Sequence, residues 1–202
     1  MRVLVSPQAQ SLSYGVVTAL CRSLVDEAEE VAPTPTVAPL LPPRQLTAAE
    51  VQAVRQALLG DSISHHSGKS SSPRTGVVGY ICVGREVGPG CAQEVVVVED
   101  HVGLAWDSPL RGPNDDRLGP RFPRTDEVYA PEVARDRFST GLGATISVAT
   151  VAGVRSHARL TEWESQMVAV LGIQVVSAQL VPFAVIAAHL GLRVAAAVVL
   201  QD

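Results

Sequence analysis

Arg155, His157 and Arg159 alternate along the segment RSHAR, and Glu162 and Glu164 follow on either side of Trp163. Cations, an imidazole and carboxylates packed this closely form a polar cluster that could carry an activity. The plainer alternative is a solvated helix start, where carboxylates favour the positive end of the dipole. Cys82 ends the apolar run GVVGYICV, a setting in which a thiol is more often an inert filler than a nucleophile. Gly68-Lys69-Ser70 carries the last letters of a phosphate loop, but that pattern needs a glycine where Ile63 stands. His65 and His66 are adjacent rather than spaced to share a helix face, so neither a metal nor another cofactor is expected.

The elements that must position these groups follow from hydrophobic patterning. MRVLVSP is a short β-branched run closed by proline, as in a buried parallel strand. Leu12 to Glu30 reads as a helix with Val16, Leu20, Leu24 and Ala28 on one face. Five prolines between Val31 and Arg44 then make an extended, donor-poor connection. Thr47 followed by Glu50 is a capping box for a helix ending at Leu58-Leu59-Gly60. Residues 61–75 are small and polar and read as an exposed, flexible insertion.

Beyond the insertion, strands are expected at Gly76–Val83, Val95–Val98, Ala144–Ala152, Val175–Ala178 and Val194–Leu200. Helices are expected within Val133–Gly143, at Thr161–Val170 and at Pro182–Leu190. Near-continuous apolar strands alternating with helices predict an α/β sandwich about a buried central sheet. At 202 residues and 47% hydrophobic, the chain is most simply one domain over residues 1–202.

Charge and cysteines set further bounds. A net charge of -4 exerts no general pull towards nucleic acid or anionic membrane. Cys21, Cys82 and Cys91 are odd in number and lack metal spacing, which argues against a secreted disulfide framework. Val175 to Leu200 is interrupted by Gln179, Pro182, His189 and Arg193, so no membrane span is expected. With no signal-peptide core at the N-terminus, a cytoplasmic location is expected.

Ser108 to Pro123, SPLRGPNDDRLGPRFP, fits no regular element. Four prolines lie among Arg111, Asn114, Asp115, Asp116, Arg117 and Arg121, which rules out a helix or strand and leaves an ordered, charged loop. Its wording resembles the Asn-Pro-Leu-Arg-Gly-Pro-Asn-Asp loop of trimeric purine nucleoside phosphorylases, continuing through Arg-Phe-Pro. Upstream, EVVVVEDHVGL is similar to that family's strand ending in Asp-His. Downstream, VPFAVIAAHLGLRVAAAVVLQD is similar to its Val-Pro-Glu-Val-x-x-Ala-x-x-x-Gly-Leu-Arg-Val helix and strand, and Val151-Ala152-Gly153 falls where the family has the same three letters. The resemblance runs from about Val77 to Asp202 and implies a three-layer α/β/α sandwich with a central mixed sheet.

The resemblance also shows what has changed. The family holds phosphate with a Gly-Ser-Gly turn, an Arg-x-His-x-Tyr segment and a late serine, because a dianion needs several converging donors. Here Ser6-Pro7-Gln8 follows the first strand, the Arg-x-His-x-Tyr segment falls on Ala38 to Pro42, and the late serine matches Gln179. On the purine side, the stacking Phe-Glu pair falls at Arg159-Leu160, the Asn-Ala-Ala-Gly-Gly loop on Ile81 to Arg85, the late methionine on Ala178, and Thr-Asn on Gln201-Asp202. Phe122 matches the phenylalanine that the family inserts into a neighbouring subunit's site.

The implied candidates are therefore Asp202, Arg159 and His157 for catalysis, with Asp202 able in principle to protonate a base. Phe122, Cys82, Val83, Ala178, Gln179, Leu160 and Gln201 are the candidates for binding a ligand, with no metal. The expectation is a nucleoside-phosphorylase-fold protein that has lost its phosphate and purine ligands. It would be repurposed for a phosphate-free biosynthetic step, a cyclisation, elimination or rearrangement on an apolar or aromatic small molecule. A non-catalytic binding or scaffold subunit is the alternative, and a residual purine nucleoside phosphorylase or nucleoside hydrolase is the second. A homotrimer through the 108–124 loop is expected, with no nucleic acid or membrane partner.

Overall fold

The sheet of this protein curls until its last strand pairs back onto an inner one. The computed structural model describes residues 2–6, 9, 19–20, 36–37, 48–59, 76–87, 94–104, 108–142, 146–155 and 160–201. The elements, in chain order, are β1 (Val3–Val5), β2 (Thr36–Val37), α1 (Ala48–Leu59), β3 (Gly76–Glu86), β4 (Val95–Gly103), α2 (Pro131–Leu142), β5 (Ser147–Gly153), α3 (Glu162–Val170), β6 (Val175–Ser177), α4 (Leu180–His189) and β7 (Leu192–Gln201). All strands join one seven-stranded sheet, β2-β1-β3-β6-β5-β4-β7, in which β7 also pairs with β3.

That extra pairing closes a ring. Parallel β7 runs beside β3 from Gly76↔Leu192 to Arg85↔Gln201, and its other edge takes β4 antiparallel from Val95↔Val199 to Val97↔Ala197. β4 pairs with β5, β5 with β6, and β6 returns to β3 through Arg85↔Val176 and Glu86↔Val175. The expected mixed α/β sheet is therefore present, and its long strands are bent into a barrel with β1 and β2 outside on the free edge of β3.

Strand alternation distributes the core between the two faces. Val78, Tyr80 and Cys82 of β3, Val194, Ala196 and Val198 of β7, and Val96 and Val98 of β4 point to the side that α1 and α4 cover. Ile81, Val83, Ala195, Ala197, Val95 and Val97 point to the other side, against Ala134 and Phe138 of α2. α3 covers a third cluster, Val87, Ala152, Val154, Val168, Ile173 and Val176. α1 contributes Val51, Val54 and Leu58, a spacing that keeps one helical face inward.

Local chemistry explains most boundaries. The Thr161 hydroxyl accepts the Glu164 N–H and the Glu164 carboxylate accepts the Thr161 N–H, a reciprocal cap that starts α3. Pro182 sits in the first turn of α4, where its missing donor has no intrahelical partner to lose. Gly191 ends that helix at φ 70°, a conformation glycine adopts without a Cβ penalty.

Two strands run beyond their apolar stretches. β3 continues from Val83 to Glu86 because Arg85 and Glu86 close the ring onto β6, and β4 continues from Val98 to Gly103 along β5 past a register shift between Val98 and Asp100. Thr36 and Val37, within the proline-rich connection, form a two-residue strand on β1. Only residues 19 and 20 of the helix expected over Leu12–Glu30 are described, and the 61–75 insertion lies outside the described residues. No helix among the described residues is long and apolar enough to cross a membrane.

Candidate functional site

β3, β6 and the start of α4 meet at a buried polar corner. Its hub is Ser177, which is fully buried. The Ser177 hydroxyl donates to the Val83 carbonyl at 2.8 Å and accepts the Gln179 N–H at 3.4 Å. With that proton committed, the Cys82 thiol at 3.7 Å from Ser177 Oγ is the donor in the third contact. Burial pushes the Cys82 thiol up to about 12, so it stays protonated. This corner offers neutral hydrogen-bonding groups rather than an anion cradle.

An aromatic pair packs within the same core. Tyr80 and Phe183 lie face to face, with ring centroids 3.7 Å apart and planes 5° from parallel. Both rings are essentially fully buried, and burial raises the Tyr80 hydroxyl well above its ordinary pKa. Gly84 carries the closure beyond Cys82. A Cβ there would lie 2.5 Å from Val198 Cγ1 and 2.7 Å from the Val176 carbonyl oxygen.

The 108–130 segment is held at the opposite end of α4. Asn114 donates to the Gly119 carbonyl at 3.0 Å and to Asp116 at 2.6 Å, leaving its own Oδ1 facing His189 Nε2 at 3.1 Å. Arg55 of α1 reaches His189 Nδ1 at 3.4 Å. The side chain of Arg117 bonds both carboxylate oxygens of Asp115, and hydrogen bonding to Arg117 holds that carboxyl at about 2. Further on, Val128 and Ala130 exchange backbone bonds with Val194. The Tyr129 hydroxyl meets His101 Nδ1 at 2.9 Å in a half-buried link, and the exposed Asp100 carboxylate accepts the His101 N–H.

The sequence pattern of the phosphorylase superfamily matches residues 74–202, well over half of the chain. The chain belongs to the phosphorylase superfamily. Mouse purine nucleoside phosphorylase is 31% identical over 108 residues, which cover 50% of this chain and 37% of the mouse protein. Purine nucleoside phosphorylase 1 of Geobacillus stearothermophilus is 30% identical over 104 residues, 50% of this chain and 38% of that protein. The chain thus aligns with well under half the length of these relatives. Isoform 2 of purine nucleoside phosphorylase from Schistosoma mansoni, solved with cytosine and ribose-1-phosphate, superposes with a TM-score of 0.55 at 24% identity. That superposition covers 61% of this chain and 46% of the other, and it shows the shared fold.

Within the superfamily frame, the expected ligand residues fall into groups. Cys82, Ala178 and Gln179 come together at the Ser177 corner, all at most 3% exposed. Val83 joins them through its carbonyl, and its side chain packs on the α2 face. Leu160 packs, partly buried, against the cluster beneath α3. Gln201 stands at the end of β7 opposite Arg85. Phe122 is 87% exposed on the loop. His157, Arg159 and Asp202 lie outside the described residues.

Ser177 and Phe183 were not singled out from the sequence, although each left a signal. Ser177 is a lone small polar residue ending the run VVS before a helix, and Phe183 falls where the resemblance to trimeric purine nucleoside phosphorylases would put the glutamate of Val-Pro-Glu-Val. Near the first strand, Ser6 is buried and its hydroxyl accepts the Ala9 N–H at 3.2 Å, as a helix cap does.

Proposed function

We propose that this protein does not perform phosphorolysis, and that its Ser177 corner serves a small, neutral, apolar or aromatic molecule in a phosphate-free step such as a cyclisation, elimination or rearrangement. One observation carries the reading: the hydroxyl, thiol and amide gathered at Ser177, Cys82 and Gln179 are all neutral. A phosphate dianion requires charged or several convergent donors, whereas a neutral polar atom requires one or two. The packed state of that corner favours a second reading, a non-catalytic binding subunit.

Calorimetric titration with inosine, adenosine and phosphate, run beside a phosphorolysis assay, separates these readings. The expected result is no phosphate heat and no release of ribose 1-phosphate. Nucleoside heat without phosphate heat would support the neutral-ligand pocket, and silence from all three would shift support to the binding subunit. Phosphate-dependent turnover would overturn both and restore a purine nucleoside phosphorylase.

A homotrimer through the 108–124 loop belongs to the same reading. Phe122 is exposed on a loop anchored at the far end of α4 from Ser177, about 15 Å along the helix axis. That placement suits a side chain directed to a neighbour. Phe122→Ala is expected to shift the species measured by light scattering from trimer to monomer without changing the thermal midpoint of the monomer; an unchanged trimer would count against the loop as the contact.

A further inference from the structure

We infer that His189 is a proton-operated latch: in its neutral form it pins the 108–119 stretch of the loop to the end of α4, and protonation at Nδ1 releases the loop.

The hydrogen-bond polarity leaves one working tautomer. Asn114 Nδ2 donates to Asp116 and to the Gly119 carbonyl, so its Oδ1 must accept. His189 Nε2 therefore carries the proton. Nδ1 is then the free lone pair, and it faces the Arg55 guanidinium, which can only donate. A proton on Nδ1 would place two donors and two positive charges against each other at 3.4 Å, with the ring fully buried.

The ring cannot easily turn away. A Cβ on Gly119 would stand 1.6 Å from the His189 carbonyl oxygen and 3.4 Å from His189 Cγ, so the loop backbone lies directly on this residue. Loop and helix share the contact closely enough that one must move when the imidazole does. The charged groups facing His189 are Arg55 from α1 and Asp115 from the loop, and Asp115 is itself paired with the exposed Arg117. Arg193 on β7 is directed elsewhere, to the Tyr129 carbonyl and Glu132.

The sign follows from these neighbours. Burial first, and Arg55 second, lower the His189 pKa below its ordinary 6.5, against an opposing pull from Asp115. The docked loop therefore binds fewer protons than the released one. Docking is at full strength above 6.5 and weakens as pH falls from there towards the lowered value.

Hydrogen–deuterium exchange of the intact protein between pH 8 and pH 5, corrected for the intrinsic pH dependence of exchange, tests the latch. Peptides covering 108–124 should lose protection below about pH 6.5, while those covering β3 and β7 keep theirs. His189→Gln preserves a neutral donor towards Asn114 and should keep the loop protected down to pH 5. Arg55→Met removes the opposing cation and should shrink the pH step even if His189→Gln does not fold. A wild-type loop whose protection is constant across this range would overturn the latch. So would a step of unchanged size in either folded variant.

Discussion

Phe183→Ala should cost about 3–5 kcal/mol of stability, read as a lower urea midpoint at unchanged slope. The ring is fully buried and stacked on Tyr80 at 3.7 Å, so its removal leaves a ring-sized void walled by β3 and α4. Transfer and cavity terms then add to the lost ring contact. Phe183→Leu keeps most of the volume and should cost about 1.5 kcal/mol or less. Equal, small losses for both would mean that the barrel interior is loosely filled at this point.

Gly84→Ala is expected to cost about 3 kcal/mol, near the upper end of what overpacking brings. The new methyl would meet Val198 Cγ1 at 2.5 Å and the Val176 carbonyl at 2.7 Å. Val198 is a side chain and can be shortened. The Val176 oxygen is backbone in the ladder that joins β6 to β3 and cannot retreat without opening the ring. Adding Val198→Ala to Gly84→Ala should therefore recover only part of the loss. Full recovery would show that the carbonyl contact is soft, and that β3 and β6 are less tightly held than the geometry implies.

The strand expected over Gly76–Val83 continues to Glu86 because a glycine at position 84 lets two other strands approach. Likewise Asp100 and His101 read as the polar end of a strand. They continue it because β5 shifts register alongside and Tyr129 arrives from a distant loop to bond the imidazole. Neither partner is near in sequence, so no local pattern could announce them.

The type and order of the elements from β3 to β7 were legible from residue chemistry alone. Hydrophobic period separated the helices from the strands, Thr161 was read as the start of α3, and the prolines of 108–123 excluded regular structure there. Superfamily membership was legible in the loop and in the last two elements. Only the tertiary structure decided that the sheet closes, that Ser177 gathers Cys82 and Gln179, and that Asn114 fixes the tautomer of His189. Local pattern records which face a side chain prefers. Which side chains meet across long stretches of chain depends on strand curvature and on backbone contacts that belong to no single segment.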